Sequence, residues 1–300
     1  MNIVLADFET RAPLKDEARV LFERGLEDAE FRADLMATAA KVRDDLMAGR
    51  EEYEAGINSV TKCYLNPNCR YCDYWLNPLK EEPSTEEVVE RVRRLHDDTP
   101  VRQFHLSGGS IGAGRNAQMM RIVEAIREAG FWDMGIVVNC GPGFTDDDLD
   151  RLKELQVKRV FSVFETTDPQ MFEQMKPGDN LERKFEFARR IHMHGLGLGS
   201  GMMAGLGRAE GRIERYLTTL YDMAALEGLE AIYISKFMMK PGIDVHDFDT
   251  CSTEEGLVLI AVARLILRDV HIRAAAGWSR DDRELAIGAG TGAIVQGPMR

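Results

Sequence analysis

The chain has 300 residues, 44% hydrophobic and 29% charged, which is ample apolar material for a core and excludes general disorder. Its 50 acidic against 38 basic residues give a formal charge of −12. That balance argues against a general nucleic-acid or anionic-membrane binder, which would need a surplus of Lys and Arg. Length alone fits one large domain or two ordinary ones, because α/β barrels run past about 200 residues as single units.

The amino-terminal segment MNIVLADFETRAPLKDEARV meets Asp7 and Glu9 before any apolar run reaches signal-peptide length. The most apolar later stretch, Gly256 to Leu267, is broken by Arg264. A membrane span needs about 20 largely apolar residues. The expectation is a cytoplasmic protein with no membrane partner.

Residues 14 to about 52 are rich in Ala, Leu, Glu, Arg and Lys, with apolar residues at helical spacing (Val20 and Leu21, Leu35 and Met36, Val42 and Leu46). We expect a helical region over residues 1–54. From about residue 56 the texture alternates. The short β-like runs are GINSV, VRQFHLS, MGIVVN, RVFSVF, GLGLGS, AIYISKF and DVHIRA. Amphipathic helices are expected between them, near 85–96, 116–129, 145–155, 181–194, 210–226 and 253–268. Thr85 ahead of Val88 and Val89, and Thr145 ahead of three Asp, read as helix starts. Strands alternating with helices mean parallel βαβ units. The fold class is therefore α/β, a TIM-type (β/α)6 to (β/α)8 barrel over residues 55–300.

Chemistry in such barrels gathers at the carboxyl ends of the strands. Those ends carry Cys63; Ser107, Gly108, Gly109 and Ser110; Asn139, Cys140 and Gly141; Glu165, Thr166 and Thr167; Ser200 and Gly201; and Lys236 to Gly242. Small, polar and thiol residues thus converge on one rim.

Five cysteines lie at 63, 69, 72, 140 and 251. An odd count, with three inside ten residues, is no secreted disulfide framework. The cluster reads Cys63-Tyr-Leu-Asn-Pro-Asn-Cys69-Arg-Tyr-Cys72, on a loop that Pro67 and two Asn allow to curl. Three thiolates suit a four-iron cluster with one iron left open for another ligand. A structural zinc site would want a fourth ligand, and the nearest His is His96, beyond an acidic helix. Inert buried thiols are the remaining alternative.

The other rim residues admit two readings each. Ser107-Gly108-Gly109 is an ordinary βα turn or a place of close backbone approach to a polar ligand. Glu165 is a surface acid or the partner of a ligand ammonium group. Arg183 is a solvated helix charge or a carboxylate binder. The run Gly199-Ser200-Gly201-Met202-Met203-Ala204-Gly205-Leu206-Gly207 has more glycine than a strand tolerates unless something approaches its backbone. GxGxxG opening a helix and GxxxxGK[ST] are both missing, which weakens nicotinamide and P-loop readings.

Taken together these residues resemble the radical S-adenosylmethionine (SAM) superfamily. More narrowly they resemble the branch of biotin synthase, HydE and methylornithine synthase. The resemblance covers roughly residues 55 to 296. It includes the cysteine loop, the Ser-Gly-Gly turn, the stretch VFETTDPQMFEQMKPGDNLERKFEFARRIHMHGLGLGSGMMAGLG and the closing GAGTGAIVQGPM. The Cys-x5-Cys-x2-Cys spacing departs from the commoner Cys-x3-Cys-x2-Cys and resembles the HmdB/HcgA group, associated with making the iron–guanylylpyridinol cofactor of [Fe]-hydrogenase.

The resemblance implies a 4Fe-4S cluster on Cys63, Cys69 and Cys72, with SAM as cosubstrate. It implies Tyr71 near the adenine and Gly108–Gly109 at the methionine amino group, after Ser107. The acid usual after the glycines is Ser110 here. It implies Glu165 at the SAM ammonium, Arg183 at its carboxylate with Ser200 nearby, and Gly201 and Met203 along the adenine. The terminal acid of that last stretch is Arg208 here, and an Arg found in relatives such as HydE is Val163. The implied activity is reductive SAM cleavage to a 5′-deoxyadenosyl radical, acting on a small precursor in cofactor biosynthesis. The implied electron donor is a flavodoxin or ferredoxin. Sulfur insertion as in biotin synthase is disfavoured: Arg273 matches a needed Arg, but Gly199 stands at a needed cysteine. HydE-like or methylornithine-synthase-like activity, a noncatalytic iron–sulfur scaffold or electron carrier, and a zinc hydrolase are the rivals. Cys140 and Cys251 read as structural thiols, His105 as a core or rim histidine, and Lys236 and Lys240 as facing substrate or solvent.

Overall fold

A computed structural model describes residues 3–48, 50, 52–72, 74, 81–112, 115–243, 245 and 248–292, with the backbone of 295–296. Eight parallel strands form one sheet in the order β7-β6-β5-β4-β3-β2-β1-β8. They are β1 Glu54–Ile57, β2 Gln103–Ser107, β3 Gly135–Asn139, β4 Val157–Phe161, β5 Gly197–Ala204, β6 Leu229–Lys236, β7 His271–Ala274 and β8 Val295–Gln296. The sheet is curled, since β7 and β6 reach β1 across its interior: the Arg273 guanidinium lies 2.7 Å from Glu54, and the Tyr233 hydroxyl donates to the same carboxylate. This is the α/β barrel type expected, as an open, TIM-like form.

The helices are α1 Lys15–Glu27, α2 Ala29–Met47, α3 Thr85–Asp98, α4 Ala117–Glu128, α5 Asp146–Glu154, α6 Pro169–Met175, α7 Leu181–Met193, α8 Arg212–Ala224, α9 Thr253–Ile266 and α10 Arg280–Gly288. The helix α3 starts at Thr85, as expected, with Ser84 as its cap and Glu87 closing a capping box. Thr145 caps α5 as expected, with three aspartates in the first turn complementing the helix dipole.

The strands read as near-continuous apolar runs because both faces are covered. On the outer face lie Phe104, Leu106, Ile136, Val138, Val160, Leu198, Ile232 and Ile272, all buried against helices. The apolar stretch at α9 has the same origin. Every residue from Gly256 to Ile266 is buried, because α1 and α2 pack over α9 and seal it from water. Arg264 survives there by donating to the carbonyls of Gly290, Arg268 and Val270. No helix among the described residues is long and apolar enough to cross a membrane.

Inside the barrel the side chains stand in layers. Register sets His105 beside Val137 and Tyr233 beside Arg273, and Glu54 and Phe161 reach the Tyr233 side chain from neighbouring levels. Phe161 stacks on Tyr233 with ring centroids 4.5 Å apart. Val137, Phe161 and Ala231 are buried together beneath the rim. The glycines of β5 make that stack possible. A β carbon on Gly199 would lie 2.2 Å from the Phe161 ring. The close approach that the glycine-rich strand requires is therefore made here by a neighbouring aromatic side chain.

Candidate functional site

The cysteine loop begins where β1 ends. Residues 58–72 leave the strand, cross the mouth of the barrel and dock on two neighbours. The first is the turn after β2. The Gly109 amide donates to the Thr61 carbonyl at 2.9 Å, and the Thr61 hydroxyl donates to the Gly109 carbonyl at 3.0 Å. A β carbon on Gly108 would fall 2.3 Å from Thr61 Oγ1, and one on Gly109 would fall 2.1 Å from the Cys63 amide nitrogen. The glycines thus admit the cysteine loop itself. The second neighbour is the segment after α6: a β carbon on Gly178 would lie 2.1 Å from the Pro67 carbonyl, and the Arg70 amide donates to the Met175 carbonyl at 2.8 Å.

Docked this way, Cys63, Cys69 and Cys72 line one cavity of about 220 Å³. Tyr71, Gly108, Gly109, Ser110, Asn139, Cys140, Val163, Glu165, Lys176, Asp179 and Lys184 complete its wall. None of the five cysteines is in a disulfide. The three loop thiols are partly buried, whereas Cys140 and Cys251 are fully buried. Burial pushes the Cys69 thiol up, and the nearby Lys176 ammonium pulls against it. Cys140 is pushed up strongly by burial alone and stays protonated. Cys251 is pushed up to about 12, chiefly by burial.

Glu165 reaches this wall in an unusual backbone conformation, with φ of 68°. Its amide donates to the Gly201 carbonyl at 3.0 Å, and its carbonyl accepts from the Met203 amide at 2.9 Å. A non-glycine residue held left-handed by such bonds is strained, and this strain turns the carboxylate into the cavity. Burial raises its pKa, with Lys176 and Lys184 opposing. The Tyr71 hydroxyl faces Glu165 Oε1 at 3.4 Å. The Ser110 hydroxyl is buried and has no hydrogen-bond partner among the described residues.

Two lysines that sequence reasoning missed are the main cations of the site. Lys176 and Lys184, each about 95% buried, flank Asp179 at 3.0 and 3.2 Å. Burial works against the charge on Lys176, but Asp179, Cys69 and Glu165 outweigh it and hold the ammonium charged. Lys184 is lowered to about 8 by burial and by repulsion from Lys176.

Arg183 does not join this group. It is exposed, and with Glu186 and Arg190 it lines a separate surface groove. One residue along a helix is a rotation of about 100°, so when Lys184 faces the cavity Arg183 faces away. Ser200 also lies elsewhere. It is fully buried within β5, and its hydroxyl donates to the Ser162 carbonyl at 2.8 Å. Ser200 and Gly201 do not end β5 as expected, because pairing with β6 continues to Ala204 opposite Lys236. Gly201 lies against Val163 and Tyr233. Met203 packs with Tyr71, Met175, Leu206 and Phe237 in a small apolar cluster beside the cavity. The Ser107 hydroxyl, on the inner wall below, donates to Asn58 at 2.7 Å. Lys236 turns outward to Thr253 and the Trp278 ring. Arg273 is held at one end by Glu52 and at the other by Glu54. Of the closing GAGTGAIVQGPM, residues 293–294 and 297–299 lie outside the described residues.

The family model of the Radical SAM superfamily matches residues 57–220. An uncharacterized protein of Methanocaldococcus jannaschii is 24% identical over 264 residues, covering 86% of this chain and 68% of that protein. A biotin synthase of Synechococcus is 23% identical over 275 residues, covering 89% and 81%. Among solved structures, methylornithine synthase superposes with a TM-score of 0.82 at 20% identity, covering 96% of this chain and 84% of that one. A likeness at that identity speaks for the fold.

Proposed function

The chain belongs to the radical SAM superfamily, whose enzymes use a 4Fe-4S cluster and SAM, and on that footing we propose that it acts on a small precursor in the making of the guanylylpyridinol cofactor of [Fe]-hydrogenase. The observation that carries the enzyme's chemistry is the meeting of three cysteine thiols with Glu165, Lys184 and the Gly108–Gly109 turn around one cavity. The Cys-x5-Cys-x2-Cys spacing supports the narrower placement in the HmdB/HcgA group.

The donor set fits the implied group. Cys63, Cys69 and Cys72 would hold a 4Fe-4S cluster through their thiolates and leave a coordination site for SAM. Bound there, such a cluster would supply the electron for reductive cleavage of SAM to methionine and a 5′-deoxyadenosyl radical. The chain's own residues orient the cosubstrate. The Glu165 carboxylate pairs with the SAM ammonium, and the otherwise unpartnered Ser110 hydroxyl accepts from it. The SAM carboxylate pairs with Lys184 in place of Arg183. Tyr71 and Met203 give the adenine an apolar side. Lys176 and Asp179 stay fixed against each other and keep Lys184 aimed. An electron carrier would have no use for this set beside its cluster, which favours the enzyme over the noncatalytic rivals.

In this reading residues 1–54 are a helical prelude to one barrel over 55–300, the enzyme works in the cytoplasm, and a flavodoxin or ferredoxin delivers the electron. Anaerobic reconstitution tests the chemistry. The expected result is a brown protein with four irons that forms 5′-deoxyadenosine from SAM only on reduction. Zinc in the isolated protein with no SAM cleavage would overturn it. The cofactor role is tested by deleting the gene in its host: [Fe]-hydrogenase activity and guanylylpyridinol should both be lost, and an unchanged cofactor level would refute the assignment.

A further inference from the structure

Below the rim cavity the barrel interior has two unlike walls. Asn58, Ser107, His105 and Asn139, on β1 to β3 and the segments they lead into, supply polar groups. Val163, Phe161 and Tyr233, from β4, its extension and β6, supply an apolar wall. Between them stands the imidazole of His105, inside the barrel yet with its side chain 15% exposed.

The hydrogen bonds of this ring fix its chemistry. His105 Nδ1 lies 3.1 Å from Glu54 Oε1. Glu54 is buried, and burial opposes its charge, but Arg273, His105 and Tyr233 hold it down to about 2. An ionised carboxylate only accepts. The Tyr233 hydroxyl and the Gln103 amide both donate to it, and Arg273 pairs with it. Nδ1 must therefore carry the proton that points at Glu54, as in a histidine oriented by a carboxylate. In the neutral ring Nε2 is then a bare acceptor. Gly56 makes room for that edge, since a β carbon there would come 3.2 Å from Nε2. Nε2 has no hydrogen-bond partner among the described residues.

The charges around this ring cancel. Arg273 is taken by Glu52 and Glu54, and Arg159 by Glu52 and Glu230. Among the described residues the inner wall thus offers a substrate no free charge: the Nε2 acceptor and the neutral polar groups of Asn58, Ser107 and Asn139 face an apolar side.

We propose that His105 Nε2, held in place by Glu54, is a substrate-binding group of the barrel, and that it selects a small uncharged molecule with an O–H or N–H on one edge and an apolar face on the other. This rests on the radical SAM reading of the rim, which puts the substrate beneath SAM. Glu54 is the positioning residue, acting through the imidazole.

The test uses reconstituted holoenzyme with SAM and three probes of like size: phenol, benzoate and benzylammonium. Binding is followed by saturation-transfer NMR and by the ring nitrogens of 15N-histidine-labelled protein. His105 is expected as the Nδ1–H form, and phenol should shift its Nε2 resonance. Phenol should bind at least tenfold more tightly than benzoate or benzylammonium, and at least tenfold more weakly to His105→Phe. His105→Gln, which restores an acceptor, should recover part of that loss. An Nε2–H ring, tighter binding of benzoate or benzylammonium, or phenol binding unchanged in His105→Phe would each overturn the proposal. Wild-type 5′-deoxyadenosine formation without any probe reads the rim chemistry separately. Circular dichroism and reconstituted iron content matched to the wild type show that His105→Phe folds. Should it fail to fold, the wild-type tautomer and the probe ranking decide.

Discussion

Gly109 and Cys63 are in contact so close that no other residue type fits at position 109: its missing β carbon would sit 2.1 Å from the Cys63 amide nitrogen and 2.2 Å from its α carbon. The glycine of one strand end thereby fixes the height of the first cysteine over the barrel. Gly109→Ala should displace the loop and cut reconstituted iron by at least half. Gly112→Ala, where an added β carbon meets nothing within 4 Å among the described residues, is the control and should leave iron content unchanged. Equal iron in both would show that the turn does not set the loop.

The cysteines divide three and two. Cys63→Ala, Cys69→Ala and Cys72→Ala should each fail to hold four irons on anaerobic reconstitution. Cys140→Ser and Cys251→Ser should retain them, because both thiols are buried and, by their raised pKa values, protonated. A full cluster in Cys69→Ala, measured as iron and sulfide per chain, would refute the ligand assignment.

Neighbouring positions on α7 separate the two candidate carboxylate binders. Lys184→Ala should raise the Kd for SAM by roughly 10- to 100-fold, since a hydrogen bond between charged groups is worth about 1.5–3 kcal/mol. Arg183→Ala should change it by less than about twofold. Asp179 keeps Lys176 as a partner in either variant, so the wall should hold. The reverse ranking in equilibrium dialysis would restore Arg183.

Gly199 and Phe161 make a packing prediction independent of any cofactor. Gly199→Ala drives a methyl group into the Phe161 ring and should cost at least about 1–3 kcal/mol in denaturant unfolding. The double variant with Phe161→Leu should regain part of it. Gly288→Ala, at the last position of α10 with nothing within 4 Å of the added carbon among the described residues, should be neutral or stabilising by up to about 1 kcal/mol.

His271 makes the protein without its cluster sensitive to mild acid. Burial, with Arg159 and Arg273 adding to it and Glu52 opposing, lowers its pKa from 6.5 to about 4. Above 6.5 the ring is neutral in both folded and unfolded chains. As pH falls from 6.5 to 4, the unfolded chain takes up a proton that the folded one refuses. The stability lost is at most about 3 kcal/mol. His271→Gln should flatten urea-unfolding stability across that window, and an unchanged slope would assign the loss to other groups.

The architecture was legible because its signals are repeated. Apolar strands alternate with capped helices along the chain, and both faces of the sheet had to be covered. The cysteine loop was legible because three thiols in ten residues have few other uses. Elements too short to carry a period escaped: α6, with seven residues, and β8, with two. So did the choice between Arg183 and Lys184, which turns on helix phase rather than composition. The start of α7 sets that phase, where the Asn180 side chain accepts from the Arg183 amide at 2.8 Å. Lys176 and Asp179 were missed because a KPGDN segment reads as an ordinary polar turn until the cysteine loop is laid against it. The glycine-rich β5 was noticed, but what approaches it is Phe161 from the next strand, which no local pattern names.

The stack of Phe161 on Tyr233, with Val137 and Ala231 packed beside it, closes the barrel from below. A packed base lets a ligand entering at the rim go no deeper than that ring pair. The room beneath the cysteine loop is then set by Phe161 and Tyr233 as much as by the loop, and trimming the stack with Phe161→Leu should deepen it.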